Sequence, residues 1–327
     1  LFIMPSKTKK KNINTREKIG RLDADFELRK KVLPFCRLNM GEIWEDEITG
    51  HKVGVLDATN LSDLQKIMGS EKTQLIVNDP PYNISVGNNN TGNLSKTRLN
   101  HYIDFSKKWV KNALSILDKD SHFYIWLGAD YKDSFQPLPD FMIMMRDFHN
   151  LSPRNFITMR NQRGFGTQKN WMWVRQELLH YIKGDPAFQV TYTDIPKILR
   201  GYYKKVNGKV TENFERSKSD TIRPGNVWVD IQQVFYRMEE NVPGCYAQKP
   251  IKSIDRMVRT SSKEDDIIVD FFSHSGTTLI VGEILKRKVY TFDIDPIFSE
   301  LSIRRLENYR KTGKLGWQWK TPFPELL

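Results

Sequence analysis

The chain predicts an α/β protein built on a mostly parallel sheet, and three observations carry that expectation. Short apolar runs of strand type alternate with stretches of helical spacing along most of the 327 residues. Two strand-type runs lead into turns rich in chemistry, Asp79-Pro80-Pro81-Tyr82 and Asp270-Phe271-Phe272-Ser273-His274-Ser275-Gly276. A hydrophobic fraction of 39%, with 12% aromatic residues, is enough to bury a substantial core.

The elements follow in order. Residues 1–39 read as a basic polar arm leading into a short helix. Residues 53–56 form a strand ending at Asp57, and 61–68 a helix capped by Asn60 or Ser62. The strand at 75–77 delivers the Asp79 tetrapeptide. Residues 83–100, rich in Asn, Gly, Ser and Thr, are expected to form a mobile loop, and long loops beside a site often serve as lids. Phe105, Trp109, Val110, Ala113, Leu114 and Leu117 recur at helical spacing, and 123–127 is a buried strand. Residues 155–159 and 178–182 are further strands, separated by a loop at Arg163-Gly164-Phe165-Gly166. From 184 to 226 the pattern weakens and turns basic and aromatic, as an inserted recognition region would. The remaining order is helix 252–259, strand 267–271, helix 277–285, strand 289–292 ending at Asp293, and a helix over about 298–309.

The formal net charge of +12 is unevenly spread. Residues 1–39 hold 11 Lys/Arg against 4 Asp/Glu, and residues 151–225 hold 14 against 6. Positive charge confined to an arm and a central segment points to a polyanion, because phosphate neutralisation with counterion release drives nucleic-acid affinity. Tyr192, Tyr202, Tyr203, Phe214 and Trp228, within or just beyond the central segment, add candidate stacking surfaces. Cys36 and Cys245 lie far apart without metal-ligand spacing, so neither a disulfide framework nor a zinc site is expected, and an intracellular protein is favoured. No apolar run reaches the length of a membrane span, no signal peptide is evident, and Met4 is the expected natural start.

The tetrapeptide places a carboxylate, two prolines and an aromatic ring at the exit of a strand, where open α/β sheets bind ligands. The prolines fix φ and bias the preceding residues to extended backbone, so a carbonyl and a carboxylate converge rigidly beside a ring. Such a site suits an exocyclic amine on a flat heterocycle, and the same four residues taken alone also suit a plain Pro-rich turn after a strand. The second turn, followed about twenty residues later by Asp293, has the layout of a nucleoside site: small residues at a helix N-terminus, then an acid for ribose hydroxyls. Its glycines match neither a dinucleotide fingerprint nor a P-loop.

In this order the two constellations resemble the DNA amino-methyltransferases that use S-adenosylmethionine, in the permuted (beta) group whose catalytic motif precedes the cofactor motif. The family tetrapeptide Asp-Pro-Pro-Tyr is matched in full at 79–82, and Phe-x-Gly-x-Gly by Phe272 and Gly276. Gln248-Lys249-Pro250 matches the family's Gln-Lys-Pro element, Asp293 its ribose-binding acid, and Asp57 the acid ending the short first strand. The likeness spans about residues 40 to 310. It implies a Rossmann-like methyltransferase sheet, mostly parallel with one antiparallel strand, with helices on both faces. The implied division is a catalytic half at 40–183, a target-recognition region at 184–226, a cofactor half at 227–312 and a tail at 313–327.

The resemblance implies transfer of a methyl group to adenine N6 in a flipped-out DNA base. Asp79, Pro80, Pro81 and Tyr82 would be catalytic. Asp57, Asp79, Lys249, Asp270, Phe272, Ser273, His274, Ser275, Gly276, Thr277 and Asp293 would hold the cofactor, S-adenosylmethionine. Lys197, Arg200, Lys204, Lys205, Arg216 and Arg223 are the candidate DNA contacts. Double-stranded DNA is the implied partner, with a homodimer, a cognate restriction endonuclease in no stable complex, and a cytoplasmic, nucleoid-associated location. The alternatives are cytosine-N4 transfer, where the family more often has Ser at the position of Asp79, an RNA or protein amide methyltransferase, and a DNA-binding protein that has lost catalysis. The chain departs from the family at His274, in place of glycine, and at Phe271, in place of proline. An imidazole there implies a shifted backbone or a ring turned away from the ligand, and a buried structural histidine is the favoured reading.

Overall fold

The computed structural model describes residues 19–83, 97–130, 133–165, 169, 171–196, 203–212, 219–234 and 237–327. In chain order the first elements are α1 (Phe26–Val32), β1 (Ile43–Glu45), β2 (Lys52–Val55), α2 (Leu61–Met68), β3 (Thr73–Asn78), α3 (Leu99–Ile116) and β4 (Leu117–Leu127). The short strands β5 (Ala129–Asp130) and β6 (Gln136–Pro137) precede α4 (Leu138–Met144). Then come β7 (Ser152–Phe165), β8 (Trp173–Lys183), β9 (Tyr203–Val206), β10 (Lys209–Glu212) and β11 (Val227–Trp228). The chain closes with α5 (Ile251–Ser261), β12 (Ile267–Asp270), α6 (Thr277–Leu285), β13 (Lys288–Asp293) and α7 (Pro296–Thr312).

Nine strands form one sheet in the order β1-β2-β13-β12-β3-β4-β8-β7-β11. Its central strands are apolar on both faces, as a parallel sheet covered on both sides requires. Ile76, Phe123 and Ile125 face one cluster with Trp109 of α3 and Phe141 of α4, while Leu75, Val77 and Trp126 face another with Ile254 of α5 and Leu279 of α6. Strands β2, β13, β12, β3 and β4 run parallel. The expected antiparallel strand is β8, which pairs that way with both β4 and β7. A second, the short edge strand β1, runs antiparallel to β2.

From β3 the chain crosses through α3 to β4, and from β12 it crosses through α6 to β13, in opposite directions along the sheet. The carboxyl ends of the neighbouring strands β3 and β12 therefore flank a topological switch point, where such sheets bind ligands. The strand carrying the tetrapeptide precedes the cofactor-type strand in the chain yet lies beside it in space.

Three expectations change. The anticipated loop at 163–166 is partly strand: β7 and β8 continue as a hairpin, with Phe165 opposite Trp173. Within 184–226 lies a separate two-stranded hairpin, β9–β10, turning at Asn207 and Gly208, both at positive φ. Residues 19–39 are no free polycationic arm. Arg29 bonds Asp295, Arg37 bonds Glu300 and Glu307 of α7, and Leu22 and Val32 bury against Ile297 and Leu301. Phe323 of the tail joins the same cluster. Among the described residues, no helix is long and apolar enough to cross a membrane.

Candidate active site

Asp79 leaves the end of β3 into a turn whose carbonyl at Pro81 accepts a bond from Tyr102 Oη of α3 (2.8 Å). The neighbouring Asn78 side chain accepts from Phe271 N (3.0 Å) and so ties the carboxyl ends of β3 and β12 together. Tyr82 donates to Asp79 Oδ1 at 2.7 Å. Its ring packs against Gly128, just past β4, where an added Cβ would come within 2.9 Å of the ring. Burial and the adjacent Asp79 charge hold the Tyr82 phenol well above its ordinary pKa. Asn83 receives Thr97 N and donates to Thr97 O, closing the base of the segment between them. Of the loop expected at 83–100, residues 84–96 lie outside the described residues, and Leu99 already opens α3.

Opposite stands Lys249, buried, with Nζ donating to Asp79 Oδ2 (2.7 Å) and Tyr82 Oη (3.0 Å). The Gln248-Lys249-Pro250 turn is held from behind. Gln248 accepts from Val242 N and donates to Glu240 O, and Glu240 accepts from Ile251 N at the start of α5. Burial raises the Glu240 carboxyl above its ordinary value. Arg305 of α7, fully buried, donates to Ser275 O, Thr277 Oγ1 and Glu240 O, bracing the lysine turn and the loop after β12 as one unit. No periodic signal marks Arg305, apart from its place four residues beyond the core residue Leu301.

The loop after β12 supplies the other wall. Asp270 is buried and accepts from Thr278 Oγ1 (2.6 Å) and Phe272 N (3.0 Å). Burial outweighs those bonds and pushes its carboxyl up to about 7. Phe272 turns its ring edge-on to Trp109 at 5.6 Å. Gly276 adopts φ +70°, and a Cβ there would meet Ser302 Cα of α7 at 2.8 Å, so this glycine permits close packing of α7. His274 also lies in the left-handed region, at φ 43°. Its ring packs on Phe298 at 4.8 Å, and burial lowers its pKa to about 4. Its backbone N–H donates to Asp293 Oδ2 (3.1 Å), and Asp295 N donates to Oδ1 (3.0 Å). Enclosure pushes the Asp293 carboxyl up to about 7, with Asp295 and Asp270 adding to the effect.

Asp79, Lys249, Asp270, Phe272, Ser273, His274, Ser275 and Thr277 thus line one cleft, together with Val77, Trp126, Ile254 and Thr278. Tyr82 joins it through its bonds to Asp79 and Lys249, and Pro80 and Pro81, which connect Asp79 to Tyr82, are not among the lining residues. Gly276 and Asp293 are not among the lining residues, but Asp293, half-buried, is tied to the loop by the His274 N–H. Asp57 does not join the cleft. Its Oδ1 accepts from Thr59 N and Oγ1, and its N–H donates to Asp63, so it caps the turn into α2. In the cleft wall, Ser273 Oγ and Trp126 Nε1 are buried without a partner, the condition of groups that a polar ligand satisfies.

Lys197, Arg200 and Arg216 lie outside the described residues. Lys204 and Lys205 sit on β9, and Arg223 is exposed. Trp228 is not a stacking surface: β11 places it in the core, edge-on to Trp126 and under the Arg256 guanidinium.

Residues 73–304 match the family model described as DNA methylase. The type II methyltransferase M.BamHI of Bacillus amyloliquefaciens is 26% identical over 304 residues, covering 89% of this chain and 63% of its own length. The chain therefore spans less than two thirds of that relative. M.HpaI of Haemophilus parainfluenzae is 26% identical over 253 residues, covering 77% and 74%. The DNA adenine methyltransferase YhdJ of Escherichia coli (strain K12) is 27% identical over 285 residues, covering 80% and 90%. Among solved structures, the cytosine-N4-specific PvuII DNA methyltransferase superposes with a TM-score of 0.52 at 18% identity, covering 77% of this chain and 85% of its own. The M1.HpyAVI–SAM complex gives 0.50 at 13%, covering 76% and 96%. Both are likenesses of fold.

Proposed function

The chain belongs to the DNA methylase family, and from that premise we propose that it transfers a methyl group from S-adenosylmethionine to adenine N6 in double-stranded DNA. The observation that carries this reading is the Asp79 carboxylate, held by Tyr82 at the rim of a cleft whose other wall is the Asp270–Thr278 loop. YhdJ, described as an adenine methyltransferase, shares 27% identity with the chain.

The cleft suits the donor. Ser273 Oγ and Trp126 Nε1 offer unsatisfied polar atoms, and Lys249 offers a cation for the donor's carboxylate. Ser273, Ser275, Thr277 and the His274 backbone would line its nucleoside, and Asp293, with acceptor capacity left after two backbone bonds, would take ribose hydroxyls. Asp270 steadies the loop through Thr278. When bound, the donor supplies an electrophilic methyl on a positively charged sulfur.

The rest is the protein's part. The adenine N6 lone pair is delocalised into the ring, so the amine is a weak nucleophile. Acceptance of its two N–H groups by the Asp79 carboxylate and the Pro80 carbonyl favours a pyramidal nitrogen and stabilises its developing positive charge. Tyr102 steadies this turn from the Pro81 carbonyl. The Tyr82 ring stacks on the base, and the proton that N6 sheds passes first to an Asp79 oxygen. A base inside a duplex reaches this pocket only by flipping out, at a cost of a few kcal/mol. Such an enzyme serves restriction–modification or epigenetic marking.

The alternative acceptor is cytosine N4, which the PvuII enzyme's description names. Labelled methyl transfer to duplex DNA followed by nucleoside analysis separates the two. Label in N6-methyladenine supports the adenine reading, and label in N4-methylcytosine refutes it.

A further inference from the structure

The hairpin between β7 and β8 outruns the sheet on the side of the catalytic tetrapeptide. Glu177 of β8 stands opposite Leu127, the last residue of β4, and the next residue, Gly128, touches the Tyr82 ring. Trp173 lies four residues further along, about 13 Å past the sheet at 3.3 Å per residue. Two strand spacings of about 4.8 Å separate β8 from β3, so the hairpin rises roughly 10 Å to the side of Asp79.

The hairpin has a basic shaft and an apolar tip. Residues 158–177, the part level with and beyond the end of β4, hold four Lys/Arg and one acid, Glu177, whose buried carboxylate is taken by Thr158 and Arg175. Arg160 and Arg175 pair across the two strands, both exposed. Beyond them Trp171 is 92% exposed, Met172 62% and Trp173 42%. An indole carried to solvent on a shaft of like charge suits neither a core nor a second copy of the same basic surface. It does suit a polyanion with an apolar interior: phosphates meet the arginines and stacked bases meet the ring.

We propose that this hairpin is a duplex-DNA contact and that Trp171 enters the base stack beside the target, filling the space the flipped base vacates. The proposal rests on the methyl-transfer reading above. It assigns a wedge to a segment outside the 184–226 recognition region and explains how the unstacking is offset: the ring restores on one side the stacking lost on the other.

The test compares wild type, Trp171→Ala and Trp171→Phe in labelled methyl transfer to unmethylated bacterial genomic duplex DNA, with cofactor affinity and molecular mass measured alongside. Trp171→Ala is expected to lower kcat by about tenfold or more, Trp171→Phe to recover to within about threefold of wild type, and cofactor affinity and mass to stay unchanged. Full activity in Trp171→Ala overturns the proposal, as does a phenylalanine variant no better than alanine. A drop from an assembly to a monomer also overturns it and assigns the tip to a second copy. A wild type that labels no DNA instead removes the transfer reading beneath it, a result distinct from an active wild type indifferent to residue 171.

Discussion

Lys249 Nζ lies 2.7 Å from Asp79 Oδ2 and 3.0 Å from Tyr82 Oη, so a lysine 170 residues downstream of Asp79 holds that carboxylate and its aromatic neighbour together. One Asp79 oxygen is thereby bound to the cofactor-side wall, the other to Tyr82. Under the proposed function the same lysine would pair with a donor's carboxylate, which would couple donor binding to release of Asp79 toward the target amine.

Lys249→Gln keeps a polar side chain, one atom shorter, and removes its charge. Cofactor affinity is expected to fall by about tenfold, the loss of one charge-assisted bond, in a chain that still folds. Isothermal titration with S-adenosylmethionine measures this. Affinity equal to wild type would exclude Lys249 from the donor's carboxylate.

The Asp270 and Asp293 carboxyls are raised from an ordinary value of 3.8 to about 7. Between those limits the folded chain retains protons that the unfolded chain has released. Their contribution to stability is therefore full below about pH 4 and is lost as pH rises through about 7. The Tm of the cofactor-free protein is expected to fall from pH 6 to pH 8, and Asp293→Asn to flatten that slope. Cofactor affinity moves the other way, rising over the same window as the ionised carboxylates become stronger acceptors. Thermal scans and titrations across that window check both signs.

The tetrapeptide and the Asp270–Thr278 loop were legible because rigid strand exits display residue types that the chemistry requires. Helix α2 was legible to its ends through its Asn60 cap. The Lys249–Asp79 pair was not, since chain separation hides a contact that only the β3–β12 pairing creates. Arg29 and Arg37 read as part of a basic arm pointing to a polyanion because their partners, Asp295, Glu300 and Glu307, lie more than 260 residues away. The β9–β10 hairpin carried a signal in Asn207-Gly208, obscured by lysines on both strands where apolar alternation is the usual mark. An acid at a strand end suits a cofactor as well as a helix-entry turn, and at Asp57 local bonds to Thr59 win.

His274 occupies a left-handed backbone position in the cofactor loop and rests its neutral ring on Phe298. His274→Gly relieves the backbone and loses the ring contact, effects of opposite sign and each about 1 kcal/mol. Tm is expected to shift by only a few degrees and cofactor affinity by less than about threefold. A larger loss of affinity would make the imidazole a direct ligand contact.

The proposed reaction turns on Asp79 gripping the target amine. Its most direct test is labelled methyl transfer to duplex DNA by wild type and Asp79→Ala, with cofactor binding measured on the same preparations. Wild type is predicted to place label in N6-methyladenine, and the variant to lose at least about a hundredfold in turnover while binding cofactor within about threefold of wild type. Near-normal turnover in Asp79→Ala would contradict the account.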